Sequence, residues 1–351
     1  MWLYIRSFVS HIYYLPAITQ EQMTGIIYDN TKTTLPNWVD DIHINSPKGY
    51  AYETDTHFVH IYGRNNGVWV LSTGLTVTQK KEGTLTDWVV STFGAENIEI
   101  SNTIVGETTN RVWRPGLYNY SEMLEALNNT EIELRDSLQS LRILLDKLDE
   151  LLLFIEPQGN GINAYSYKTR ELLILACTEV ENSWTTYLQI SGIQPNNRNY
   201  HTNDYVKLLE PLHLKEFKIS LKVKSDIQDF IPFDGWRSQN PTTSLDWYDA
   251  YNKTKHDREN HFDKATLEKC IKAISANIVM FCVRFSPYTL WNSNNSTSSV
   301  FNQFFNIELI NPDFKSFYLP KISIPENQRI ELICYDSQKQ IETRNIIRLT
   351  I

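Results

Sequence analysis

The sequence predicts an α+β protein: a β-rich N-terminal part over residues 1–118, a central helical bundle over 119–290 and a C-terminal β-strand extension over 291–351. Three observations carry that division. In HFVHIYGRNNGVWVLSTGLTV, the apolar runs Phe58–Tyr62 and Val68–Leu71 flank an Asn66-Gly67 turn, the strongest short-range signal for a hairpin. Leu134, Leu138, Leu141, Leu145, Leu148 and Leu152 recur in alternating steps of four and three, the seam of a helix packed along another. Short apolar runs then return at Ile307–Ile310, Ile330–Tyr335 and Ile346–Leu349, which read as strands. A chain of 351 residues also exceeds one ordinary core and suits two or three domains.

Taken in order, Trp88-Val89-Val90 and Ile98-Glu99-Ile100 extend the β-rich front with further short strands. His57 and His60 lie three apart on a predicted strand, so they face opposite sides and cannot share one ion. The character changes from Ser121, and the leucine-seamed helix ends at Pro157 and Gly159-Asn160-Gly161. A second helix spans about Ser166 to Ile190, with Leu173, Ala176, Val180, Trp184 and Tyr187 on one face. An Asn-rich linker, QPNNRNYHTND, leads to a short helix at Tyr205–Leu209, and KEFKISLKV alternates as a strand or an extended arm. Ser244 is placed to cap a helix from Leu245 to Glu259. Asp263 is placed to cap the next, whose Leu267, Ile271, Ile274, Ile278, Phe281 and Phe285 repeat the four-three seam up to Pro287. The polar run WNSNNSTSS reads as a loop before the final strands.

Composition narrows the function classes. At 41% apolar and 12% aromatic the chain is a folded protein, not a disordered one. Its 33 basic against 41 acidic residues, a formal charge of −8, argue against non-specific coating of nucleic acid and leave room for a small basic cleft. Cys177, Cys270, Cys282 and Cys334 form no CxxC pair and have no histidine at zinc spacing, so buried reduced thiols are expected, with no metal and no cofactor. The opening MWLYIRSFVSHIYYLP is broken by Arg6 and His11 and has neither a basic lead nor a small-residue cleavage site. No apolar run reaches the roughly 20 residues of a membrane span, and a cytoplasmic protein without membrane contact is expected.

The chemistry concentrates in LDWYDAYNKTKHDRENH, Leu245 to His261. On a continuous helix, Asn252, Lys255, His256 and Glu259 share a face, beside an apolar stripe of Leu245, Tyr248 and Tyr251. An imidazole exchanges protons near neutral pH, and Lys255 with Arg258 can hold a phosphate, the arginine through a two-pronged fork. That set suits cleavage of a phosphodiester by a ribose 2′-hydroxyl, a reaction that needs no metal. The same residues also describe a solvated helix face, with His256 packed at the edge of the bundle.

The run WYDAYNKTKHDR, followed by FDKATL and a long apolar helix, resembles the YN-x-x-KH-x-R signature of HEPN-like helical domains, and RELLILACTEVENSWTTYL resembles the helix that precedes it there. The likeness covers about residues 165–287. It implies an antiparallel helical bundle, often a homodimer with two sites facing a cleft, and for active members a metal-independent endoribonuclease of toxin or antiviral defence systems. The family's reactive pattern is an arginine followed by four to six residues and a histidine. Here the nearest match, Arg258 with His261, has only two residues between, which departs from that pattern. Arg6 and His11 have the spacing, but in a segment that reads as strand, where chance supplies such a pair.

Two functional expectations follow. In the first, the chain is an RNA-cleaving effector: His256 is the acid or base, Lys255 and Arg258 stabilise the transition state, Asn252 positions the substrate, and Glu179 and His261 support them. In the second, it is a catalytically inactive HEPN-like binding or regulatory subunit of a defence complex, acting on a protein partner or as a homodimer. A structural subunit that dimerises through the leucine seam is a third reading.

Overall fold

The computed structural model describes residues 23–34, 42–65, 67–80, 82–117, 120–195, 198–227, 229–292, 295–324, 333–334 and 345–351. The front comprises β1 (Thr24–Asp29), α1 (Ile42–Asn45), β2 (Lys48–Glu53), β3 (His57–Asn65), β4 (Trp69–Gln79), α2 (Leu85–Phe93), β5 (Glu96–Ile104) and β6 (Glu107–Thr109). Then come α3 (Tyr120–Ala126), α4 (Glu131–Leu152), α5 (Tyr167–Ser191), α6 (Thr202–Tyr205), β7 (Phe217–Leu221), α7 (Asp246–His256), α8 (Arg258–His261) and α9 (Leu267–Phe285). The chain closes with α10 (Pro287–Asn292), α11 (Ser296–Phe304), β8 (Phe305–Leu309), β9 (Ile333–Cys334) and β10 (Asn345–Ile347). The fold class is α+β, as the sequence predicts.

The strands β5-β1-β2-β3-β4-β9 form one sheet in that order, each neighbour antiparallel. Period-two alternation gives it two apolar faces. Tyr50, Tyr52, Val59 and Ile61 pack with Phe317, Leu319 and Ile322 on one side, and Tyr28, Ala51 and Tyr62 pack with Val89 and Phe93 of α2 on the other. The Asn66-Gly67 turn was expected to join β3 to β4; those strands do pair, and Gly67 sits at φ 98°, although Asn66 itself lies outside the described residues.

Trp88-Val89-Val90 are helical, not extended. The Thr84 side chain accepts a hydrogen bond from the Asp87 backbone while the Asp87 carboxylate accepts one from the Thr84 backbone, and Gly94 closes the helix at φ 59°. That reciprocal cap with its glycine stop outweighs the strand preference of two valines. The expected loop at WNSNNSTSS likewise gives way to α11, capped by Asn295.

The helices α4 and α5 form where their apolar seams predict. Thr130 with Glu133 caps α4, and Ser166 with Thr169 caps α5. Leu134, Leu141, Leu145 and Leu148 are buried, and α5 packs against α4, α7 and α9. Cys177, Cys270 and Cys282 are buried free thiols whose pKa values burial pushes up, so they stay protonated and inert.

Contacts cross the expected limits at 118 and 290. Val112, Trp113 and Leu117 join the helical core, as do β8 and Leu349, while Phe317 to Ile322 cover the sheet. β8 pairs with β7, and β10 runs parallel to β6. At the junction Arg114, 2% exposed, meets the Glu216 carboxylate at 2.7 Å, donates to Ser316 Oγ and the Asp313 carbonyl, and lies over the Phe317 ring. Burial alone raises the Glu216 pKa; the His213 hydrogen bond and the Arg114 charge outweigh it and hold the carboxyl ionised.

His60 is fully buried in β3, stacked 3.7 Å from the Phe93 ring, and neither ring nitrogen has a partner among the described residues. Burial drives its pKa well below the usual imidazole value, so the folded chain keeps it neutral. The unfolded chain therefore binds the extra proton below about pH 6.5, and stability falls as pH drops through that range and is level above it. Replacement His60→Phe is expected to flatten this acid dependence, which is about 1.4 kcal/mol per pH unit below pH 6.5. Urea unfolding at pH 5.5 and 7.5 checks it: an unchanged difference between the two pH values contradicts the assignment.

Candidate functional site

The apolar stripe of α7 seats it in the bundle. Leu245, Trp247, Tyr248 and Tyr251 are buried, and Trp247 Nε1 donates to the Pro232 carbonyl at 2.9 Å. In the first turn Asp246 meets both Lys269 and Lys272 of α9 at 2.7 Å. Ser244 does not cap this helix: its hydroxyl accepts from the Arg237 backbone instead, and Leu245 occupies the cap position. Nor does Asp263 cap α9, because Thr266 does.

Two tyrosines turn this seat into a polar network. Tyr248 donates to Glu181 Oε1 at 2.5 Å and Tyr251 to Glu181 Oε2 at 3.1 Å. Lys255 Nζ then donates to the Tyr251 hydroxyl at 2.6 Å and lies over the same ring. The Tyr248 pKa is raised, first by burial and then by the Glu181 charge. The hydrogen bond to Tyr251 raises the Lys255 pKa, with the Glu181 charge adding to it against partial burial. A lysine held so firmly protonated is a fixed cation, not a base.

The carboxylate in this network is Glu181, where the sequence pointed to Glu179. Glu181 follows Cys177 by four and precedes Trp184 by three, on the buried stripe of α5, and that spacing was the available signal. Glu179, two positions away, turns to the other side and lines a cavity with α4 and α9.

The expected continuous face does not form. At Asp257 the backbone leaves the helix at φ −140°, ψ 72°, and the Asp257 side chain caps α8 by accepting from the Asn260 backbone. A local cap wins over helix continuation, so Arg258, Glu259 and His261 lie on a new helical turn. Asn252 donates to the Tyr248 carbonyl of its own helix at 2.9 Å. His256 is exposed, with no hydrogen bond or ion pair among the described residues. Arg258 stacks over the Tyr167 ring at 5.7 Å, and His261 lies 3.8 Å from Asp257. Lys255 therefore shares its contacts with neither Asn252, His256 nor Arg258. Arg6 and His11 lie outside the described residues.

Two hollows open elsewhere. One, about 190 Å³, is bounded by α4, α5 and α9 and includes Glu179, Arg111 and Arg284. The other, about 510 Å³, lies beside Trp247 and is lined by Lys218, Asp229, Asp234, Asp246 and Lys272. Its two lysines are already paired with carboxylates. Neither hollow is lined by Asn252, Lys255, His256 or Arg258. Among the described residues no three His, Cys, Asp or Glu side chains gather to hold a metal ion, and no helix is long and apolar enough to cross a membrane. No protein-family model, curated protein or solved structure matches the chain.

Replacing Tyr248 by Phe removes a donor from the Glu181 carboxylate inside the bundle, at an expected cost of about 1–3 kcal/mol. Asn252→Ala loses only a bond within its own helix and is expected to stay within about 0.5 kcal/mol of wild type. Urea denaturation of both variants reads the contrast; equal losses would mean that Asn252 carries a role the geometry does not give it.

Proposed function

We propose that the chain is a catalytically inactive, HEPN-like binding or regulatory protein. The observation that carries this reading is the engagement of the expected reactive groups. Lys255 is bound into the Tyr251–Glu181 network, Asn252 bonds its own helix, and the break at Asp257 separates Arg258 from His256. General acid–base chemistry needs its groups within reach of one reacting atom, and transition-state stabilisation needs donors aimed at one developing charge. Among the described residues these side chains share no hydrogen bond or ion pair with one another. The acidic balance of 41 acidic against 33 basic residues favours a protein partner over an RNA one.

One observation favours the second reading. His256 and Arg258 are both exposed, and the His256 side chain has no hydrogen bond or ion pair among the described residues. A second copy presenting the same pair across a shared cleft would complete an RNA-cleaving site that one chain lacks.

Incubating purified protein with mixed RNA, wild type beside His256→Ala, separates the two. Intact RNA in both, at protein concentrations that populate any dimer, is the expected result. Cleavage by wild type that is lost in His256→Ala would overturn the proposal and establish the composite site.

A further inference from the structure

The cavity between α4, α5 and α9 is built differently from the rest of the helical seam. Leu145, Leu148 and Leu151 fill the space further along α4, whereas here the two helices face the cavity with Ser137 and Ser140 on one side and Ser183 and Thr186 on the other. Small hydroxyl side chains leave the gap and make its wall polar.

The hydrogen bonds decide which polarity. Ser183 donates to the Glu179 carbonyl at 3.1 Å and Thr186 to the Asn182 carbonyl at 2.9 Å, so both oxygens keep only lone pairs for the cavity. Tyr187 donates to the Arg111 carbonyl at 2.8 Å. Asn277 is 8% exposed; its amide nitrogen donates to the Ala176 and Ala273 carbonyls, and no donor reaches its Oδ1 among the described residues. The Glu179 carboxylate has no partner among the described residues either, although a half-buried charge is costly without one.

The two guanidiniums on the lining do not reverse this balance. Arg111 and Arg284 both turn onto Glu133, at 2.6 and 2.7 Å, and Arg284 Nε donates to Asn129 Oδ1 at 3.0 Å. On the lining two cations stand against two carboxylates, Asp136 and Glu179, and Glu133, which is off the lining, takes up both guanidiniums. The remaining wall is apolar, from Leu141, Leu144, Met280, Phe281 and Phe285. At about 190 Å³ the cavity has room for ordered water or a small ligand.

We infer that this cavity binds a small organic cation with N–H donors at the end of a short apolar body, an aliphatic amine or guanidine. The ammonium or guanidinium forms charge-assisted hydrogen bonds with Glu179 and donates to Asn277 Oδ1 and the Ser183 and Thr186 oxygens. The alkyl chain lies on the leucines and on Phe281 and Phe285, the latter already beneath the Arg284 guanidinium. Binding here uses nothing of α7, so the outcome of the RNA incubation leaves it untouched.

Calorimetric titration of the full chain with agmatine and putrescine tests this, at about 0.15 M salt to screen general attraction to an acidic protein, with succinate as the matched anion. At least one cation is expected to bind saturably and to raise Tm, and succinate to do neither. Glu179→Gln, which keeps the side-chain shape, is expected to weaken binding about tenfold or more. Ser140→Leu fills the cavity from the facing helix and should abolish binding, so the test stands if either variant folds. Absence of binding by both cations, equal binding by a folded Glu179→Gln or Ser140→Leu variant, or a preference for succinate would each overturn the assignment.

Discussion

Glu181 is a carboxylate held between two helices, and what surrounds it governs what α7 can do. A half-buried charge needs donors, and Tyr248 and Tyr251 supply them one helical turn apart. Meeting that need fixes the rotation and depth of α7 against α5. It also draws Lys255 onto Tyr251, because a hydroxyl that donates to a carboxylate still has a lone pair for an ammonium. The YN-x-x-KH segment therefore ties its tyrosine to the Glu181 carboxylate of α5 and its exposed lysine to that tyrosine. It leaves the histidine alone at the helix end. The network accounts for three features together: a lysine with a raised pKa, an asparagine turned back on its own helix, and an exposed imidazole without a partner.

The same demand for paired charge joins the front to the helices. Arg114 lies in the segment that leaves the sheet, Glu216 just before β7, and Asp313 and Ser316 in the stretch that returns to the sheet. Removing one member of a buried pair strands the other, which makes such contacts sharp determinants of arrangement even where they add little net stability. Gly116, at φ 109°, allows the close approach of this segment to the Tyr318 carbonyl, 2.0 Å from where a Cβ would stand. The helical layer and the sheet are thus held through a few polar contacts with apolar packing on either side.

Local signals in the sequence were legible where they were strong and self-contained. The leucine seam of α4, the extent of α5 and the β3–β4 pair are legible directly, because period and turn chemistry suffice for each. The misreadings share a cause, a competition between two local preferences. Two valines in α2 argued for a strand until the Thr84–Asp87 cap is weighed, and the helix through Asp257 looked continuous until that aspartate is seen capping the turn beyond it. On the sequence alone Glu179 is named and Glu181 is not considered, although the stripe of Cys177 and Trp184 runs through position 181. The distribution of the tail among β6, β7 and the sheet depends on long-range pairing, and no local pattern encodes it.

That Lys255 belongs to the Glu181 network is most directly tested by a double-mutant cycle of Glu181→Gln and Lys255→Met, followed by urea unfolding. A coupling of about 0.5 kcal/mol or more is predicted, the size left to a partly exposed pair after solvent screening. Strictly additive losses would show that the ammonium is independent of the carboxylate and free for other work, contrary to the arrangement described.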